Sequence, residues 1–318
     1  MKLIKNIINN MKIRTKLIIS YLSIVIVTVL IVGVYLISRM NNIVVENAIK
    51  EGRYNNNSVK SRMEEVLKLA INTSDMIYQD DNLHSMLKRE YDNYGQVVSA
   101  YNEYTILRDY LKYYNEFNGV EMYVDNDTLL SATGIFKVTD EIRESSWYKK
   151  AIEDKGIITW LYKKDETTGN YSLSLVRAIN STSKGHIGVL VISINPNYLA
   201  DIVNDERYKT SILVDGRVIY SNDLKVGEIA DLGRSEAEAS YYYEINEEFD
   251  ENGDHLILNT FKLDKSFNNT FQVLVNVPVD IITMESSTVI NKGILIIGVA
   301  IMSSLIVILY FSKISQIE

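Results

Sequence analysis

The residues able to do chemistry are few and scattered. His84, His186 and His255 are the only imidazoles, and the chain has no cysteine. The three histidines fall in different predicted elements, so no His/Cys set has zinc spacing, and thiol nucleophiles and disulfides are excluded. Asp250-Glu251-Asn252-Gly253-Asp254 imitates part of a calcium loop. It lacks the ligand spacing and the closing Glu of that motif, and a solvated hairpin tip is the simpler reading. No G-x-S-x-G, H-E-x-x-H or P-loop pattern occurs. The expectation is a chain with no metal, no cofactor and no catalytic residues, hence no enzyme.

Aromatic side chains are the remaining signal. There are 22 tyrosines and two tryptophans, and Tyr123, Trp147, Tyr148, Trp160, Tyr162 and Tyr171 fall in one middle stretch. Tyrosine and tryptophan pair an apolar ring with a polar handle, which suits a small-ligand pocket, although the same rings pack ordinary sheets. Arg177 stands inside an otherwise apolar strand. It either holds an anionic ligand or pairs with a nearby acid, and the sequence leaves both open. The candidate ligand-binding set is Trp147, Tyr148, Tyr123 and Arg177.

The elements around them read as α+β. Val59, Met63, Val66, Leu67, Ala70, Ser74 and Ile77 form one stripe at helical spacing in a helix from about residue 40 to 79. A second helical stretch is predicted over about 83–116. Strand patterns follow at 119–124, 172–179 and 187–194, and Asn195-Pro196 reads as cap and first residue of a helix over 196–205. Two hairpins are predicted next. One is 210–214 with 217–220 around Asp215-Gly216, the other 241–249 with 255–263 around Asn252-Gly253. A strand at 271–277 and a helix opened by Pro278 close the series. The order is thus two consecutive antiparallel sheet units with attached helices.

Two stretches are too long and apolar for ordinary core helices. Leu17–Ile37 and Ile294–Phe311 carry no charge, and about 20 apolar residues span a bilayer core. Ile37-Ser38-Arg39-Met40 offers no small-residue cleavage site, so the first stretch reads as an uncleaved anchor. Lys2, Lys5, Lys12, Arg14 and Lys16 precede it with no acid among residues 1–16, the positive-inside signature of a cytoplasmic N-terminus. The second span returns the C-terminus to the same side. Between the spans, residues 40–292 hold 26 basic and 40 acidic residues, which argues against nucleic acid as a partner.

The resulting division is 1–16 cytoplasmic, 17–38 first span, 39–292 extracytoplasmic, 293–311 second span and 312–318 linker. The middle comprises a long helix (39–82), a membrane-distal unit (83–205) and a membrane-proximal unit (206–290). This plan resembles the double Cache (dCache) sensory domain, with tandem PAS-like antiparallel sheets on a long N-terminal helix. Ser146-Trp147-Tyr148-Lys149-Lys150-Ala151 is similar to the "WYKKA" stretch of the distal Cache unit. Leu173–Ile179 and Ile187–Ile194 are similar to its closing strands, and Val275–Ile281 to the exit of the proximal unit. The set resembles the sensor half of YesM-like histidine kinases. Phe311–Ser315 looks like the opening of a HAMP linker, and the sequence stops at Glu318 before any phosphoacceptor helix or ATP motif.

The resemblance implies a ligand-sensing part of a two-component receptor in the cell membrane, working as a homodimer among lipid. The sensor of a chemoreceptor or cyclase, or a tethered binding or structural protein, is the alternative. It also implies a ligand site in the distal unit, for a small extracellular molecule or a solute-binding protein. Amino-acid sensors of this type carry an Arg two residues before the Trp-Tyr pair and an Asp on the last distal strand. Here those places hold Ser145, with Arg143 further back, and the uncharged Ser193 and Asn195. The departure points away from amino acids and toward a neutral, hydroxyl-rich ligand such as a carbohydrate, or toward no direct small ligand at all.

Overall fold

The computed structural model describes residues 13–164, 171–181, 185–230, 243–250, 253–264 and 269–314. They fall into two compact units: the residues up to Glu51 together with those from Pro278 onward, and Gly52–Val277.

In Gly52–Val277 the organising element is the second part of helix α1 (Ile13–Tyr78), which has no proline to break it. The stripe seen in the sequence is its core face: Val59, Met63, Leu67, Ala70 and Ser74 are fully buried. The stripe is therefore packed within the chain.

The predicted second long helix is instead three short ones: α2 (Asp81–Lys88), α3 (Tyr94–Glu103) and α4 (Ile106–Tyr113). Local caps outweigh propensity here. Asp80 accepts from the Leu83 N–H at 3.0 Å and Asn93 from the Gln96 N–H at 3.1 Å, while Arg89 and Tyr104 are extended C-caps.

Two five-stranded sheets follow. The first contains β1 (Phe117–Val124), β2 (Ile135–Lys137), β3 (Thr159–Lys164), β4 (Tyr171–Ser181) and β5 (Gly185–Ile194), in the order β2-β1-β5-β4-β3. Helices α5 (Asp140–Glu144) and α6 (Ser146–Glu153) lie between β2 and β3 in sequence. Helix α7 (Pro196–Asn204) opens as the sequence predicts, with Asn195 accepting from the Asn197 N–H.

The second sheet contains β6 (Lys209–Val214), β7 (Arg217–Ser221), β8 (Tyr243–Phe249), β9 (His255–Phe261) and β10 (Phe271–Val277), in the order β7-β6-β10-β9-β8. Counted from its own first strand, each sheet has the same order. Asp215 and Gly216 both take positive φ, 50° and 75°, in the predicted two-residue turn. Asn252, of the other predicted turn, lies outside the described residues, as do Lys2, Lys5 and Lys12.

Each sheet lays one face on α1, by different means. Against the second sheet, the buried Asn56 amide donates to Ile257 O at 2.9 Å and Val273 O at 2.8 Å, and Arg53 is bidentate on Glu247. Against the first sheet, Arg177 reaches Asp75 Oδ1 at 2.6 Å and lies 4.1 Å from the Tyr78 ring.

The other unit pairs the first part of α1 with α8 (Val279–Ile314), two helices long and apolar enough to cross a membrane. A Cβ on Gly33 would meet Ile297 at 2.3 Å, and one on Gly293 would meet Ile37 at 2.8 Å. As numbers rise on one helix they fall on the other, so the two run antiparallel, with glycines at the close contacts. Away from this seam Ile31, Val34 and Ile296 are about two-thirds exposed. Such a surface is costly in water and matches hydrocarbon.

Candidate functional site

Strand alternation gives the first sheet two unlike faces. Leu173, Leu175 and Arg177 of β4 lie on the α1 side. Ser174, Val176 and Ala178 lie on the other, where Tyr148 and Ala151 of α6 pack on Val176 and Val189. Tyr123, Trp147, Leu161 and Val191 border this cluster. Strand β5 comes close enough to β1 to build it only because Gly188 has no side chain: a Cβ there would lie 2.4 Å from Tyr123 O.

The aromatic rings interlock. Trp147 stands edge-on to Tyr123 at 5.4 Å and to Tyr148 at 5.7 Å, and Tyr123 stacks on Phe136 of β2 at 5.6 Å. Polar atoms are fixed among them. Tyr123 Oη donates to Glu121 Oε2 at 2.8 Å, and Tyr148 Oη sits 3.4 Å from His186 Nε2. The Ser174 and Ser193 hydroxyls bridge β4 and β5 at 3.0 Å.

Charge on this face is muted. Burial raises the Tyr123 phenol above its ordinary range, with Glu121 adding to the effect, and burial likewise raises Tyr148. Burial also lowers His186, against a smaller pull from Asp125, so its imidazole favours the neutral form. Arg143 does not take the place of the missing ligand-binding arginine. Both its terminal nitrogens are 3.0 Å from Asp125 oxygens, a bond that holds the Asp125 carboxyl below its usual range. Asn195 is likewise engaged, as the α7 cap and as a donor to Asn115 O.

The structure thus brings together Tyr123, Trp147 and Tyr148 and does not bring Arg177 to them. Arg177 lies on the opposite face, where Asp75, Ser74 and Gly156 O hold it. Glu121, Ser174, Ser193 and His186 complete the aromatic face. Period-two alternation from Tyr123 would have found Glu121, but the partners of Ser174 and His186 come from strand register and a loop, which one sequence does not display. What remains is a wall of rings beside hydroxyls and one carboxylate acceptor, suited to stacking on an apolar ring face and accepting hydrogen bonds from ligand hydroxyls.

Two open clefts lie elsewhere. One of about 470 Å³ is lined by Glu64, Lys68, Glu116 and Tyr198, and one of about 400 Å³ by Glu103, Tyr104, Asp109 and Tyr113. The first is lined largely by charged groups, and the second sets Tyr104, Tyr110 and Tyr113 beside the carboxylates of Glu103 and Asp109.

No protein-family model matches the chain, and no curated protein matches it at a significant level. Among solved structures it is similar to the ligand-binding domain of the Campylobacter jejuni chemoreceptor Tlp3 in complex with 4-methylisoleucine. That likeness has 14% identity and a TM-score of 0.48, over 76% of this chain and 93% of that one. The ligand-binding domain of the Pseudomonas aeruginosa PAO1 amino acid chemoreceptor PctC, in complex with GABA, gives 14% identity and a TM-score of 0.44, over 71% and 96%. The extracellular domain of a proposed histidine kinase, rpHK1S-Z16, gives 13% identity and a TM-score of 0.47, over 72% and 92%.

Proposed function

We propose that the chain is the extracytoplasmic ligand-sensing region of a membrane receptor, feeding a histidine kinase of a two-component system, and that it senses rather than catalyses. One observation carries this reading. Of two sheets with the same strand order packed on α1, only the first, among the described residues, has a face of interlocked aromatic rings beside hydroxyls under α6, and α1 itself carries an uncharged apolar stretch.

The antiparallel pairing of the two apolar helices supports a topology in which both ends of the chain lie on the cytoplasmic side. A cysteine at the exposed Tyr94 then reacts with an impermeant thiol reagent on intact cells, and one at Ser315 reacts only after permeabilisation. Equal labelling of both would overturn the topology.

The ligand reading follows from charge. A free amino acid would need a cation for its carboxylate, and Arg143 is already bidentate on Asp125. Each missing charged hydrogen bond weakens binding by about 1.5–3 kcal/mol. A neutral polyhydroxyl ligand, a sugar or oligosaccharide, instead stacks on Trp147 and donates to Glu121 and the paired serines. Calorimetric titration of the full chain in nanodiscs with a sugar panel and the twenty amino acids tests this. The expected result is binding confined to sugars and weakened by Trp147→Ala. Micromolar binding of an amino acid, lost in Trp147→Ala, would replace the sugar reading.

A further inference from the structure

Strand β3 touches both sheets, and its alternation decides which residue touches which. Leu161 packs into the aromatic cluster, and Thr159 Oγ1 donates to Asp154, at the end of α6, at 2.8 Å. Trp160 and Tyr162 face the other way, into the second sheet. The Trp160 ring stands edge-on to Phe271 of β10 at 5.8 Å, and Tyr162 Oη donates to Ile219 O of β7 at 2.9 Å.

β3 is also the edge strand of its sheet, and the Trp160 backbone N–H is not used in the ladder. It donates to Asn269 Oδ1 at 2.9 Å. Asn269 is itself buried, 8% exposed, and its Nδ2 donates to Asp215 Oδ2 at 2.7 Å. The other Asp215 oxygen accepts the Thr270 N–H at 2.8 Å, and the Asp215 N–H returns to Thr270 O at 2.9 Å. One side-chain amide thus joins the edge of the first sheet to the β6–β7 turn of the second.

We propose that Asn269 is the coupling residue through which a change at the aromatic face reaches the second sheet. This rests on reading that face as the ligand site. Whatever moves Leu161 moves β3, because the residues on its two sides share one backbone. A hydrogen bond tolerates only a few tenths of an ångström before it weakens. Close-packed groups such as Trp160 on Phe271 shift together rather than yield singly. A displacement at the rings is therefore handed to the β6–β7 turn and to β10, the strand that ends at Val277.

The test needs no ligand, so its failure is separable from failure of the sensing reading, which the titration decides. Hydrogen–deuterium exchange is followed in the full chain in nanodiscs, with Leu161→Ala as the perturbation at the rings. Exchange is expected to rise several-fold in Thr210–Val214 and Phe271–Val277 as well as in the first sheet. Asn269→Asp keeps the acceptor for Trp160 but sets two carboxylates against each other. In that background the first-sheet response stays and the second-sheet response falls to what the Trp160–Phe271 and Tyr162–Ile219 contacts still carry. Adding Asp215→Asn restores it, because the new amide at 215 donates to the new carboxylate at 269, a rescue that damage to packing alone would not show. Asn269→Ala, which removes both bonds without adding charge, acts as Asn269→Asp does should the latter fold poorly. A response confined to the first sheet in Leu161→Ala alone, an unchanged second-sheet response in either Asn269 variant, or no rescue by the exchange of groups would overturn the proposal.

Discussion

The first sheet begins with a parallel pair, β1 beside β2, with Tyr123 registered on Phe136. The second begins with an antiparallel pair, β6 and β7, closed by the turn at Asp215-Gly216. A parallel pair cannot be closed by a two-residue turn. The first sheet therefore carries the longer connection, residues 125–134, which sets Phe136 against Tyr123 and leads into the helices that roof the face. On the corresponding face of the second sheet, Leu213, Val218 and Leu274 pack with Leu256 and Leu258. The same strand order thus supports a face built on aromatic rings in one case and mainly on aliphatic side chains in the other, each with a serine pair bridging two strands, Ser174–Ser193 and Ser211–Ser221.

The largest expected effect tests whether the two sheets are one cooperative body. Phe271 is fully buried, and truncating it to Ala costs about 3–5 kcal/mol. Both tryptophans, Trp147 and Trp160, belong to the first sheet's half of the chain. Urea unfolding of Phe271→Ala followed by tryptophan fluorescence should nonetheless show an earlier midpoint. An unmoved transition would mean that the sheets unfold separately.

Arg177→Met compares the two faces of the first sheet. It should cost about 1.5 kcal/mol, the low end for a charged hydrogen bond because Asp75 is half exposed, and leave sugar titrations unchanged. Lost binding at native stability would place Arg177 in the ligand site.

Asn55 sharpens the contrast on the second sheet's stretch of α1. It is buried with neither amide atom hydrogen-bonded among the described residues, so Asn55→Leu should raise stability, by about 1 kcal/mol. A drop in the melting temperature would show that the amide is satisfied in solution.

The smallest effect is with pH. Burial holds His84, His186 and His255 below the ordinary imidazole value. The unfolded chain then binds protons more readily. The stability these groups contribute is complete above about pH 6.5 and declines as pH falls through that value toward the lowered ones. The melting temperature should fall between about pH 7.5 and about pH 5.5, part of the fall being removed by His186→Gln for the first sheet and by His255→Gln for the second. A rise over that range would contradict the burial assigned to all three.

What the sequence disclosed, and what it hid, follows from the range of each interaction. The stripe from Val59 to Ile77, the Asn195-Pro196 helix start and the Asp215-Gly216 turn are local patterns, and each is found in place. The stretch over 83–116 holds no Pro and only Gly95, so it reads as one helix; the break after Arg89 is set by the Asn93 cap, and the break at Tyr104 is an extended residue with no capping side chain after it. β2 and β3 were missed because Ile135–Lys137 is too short to show a period and Thr159–Lys164 ends in lysines. The aromatic wall was legible through Trp147 and Tyr148. The side-chain partners of Arg177, Ser74 and Asp75, by contrast, lie about a hundred residues away on α1, and only the folded chain selects them.

Each sheet also starts and finishes on neighbouring central strands: β1 beside β5, and β6 beside β10. Where the chain enters and leaves the first sheet, the Asn195 N–H donates to Glu116 O at 2.7 Å, and in the second Lys209 is registered with Asn276. A fold whose ends meet in this way is a cassette. It can be spliced into a host chain at a single point, or copied in series, without forcing the host's own ends apart, which gives a simple route from one sheet to two on the same helix.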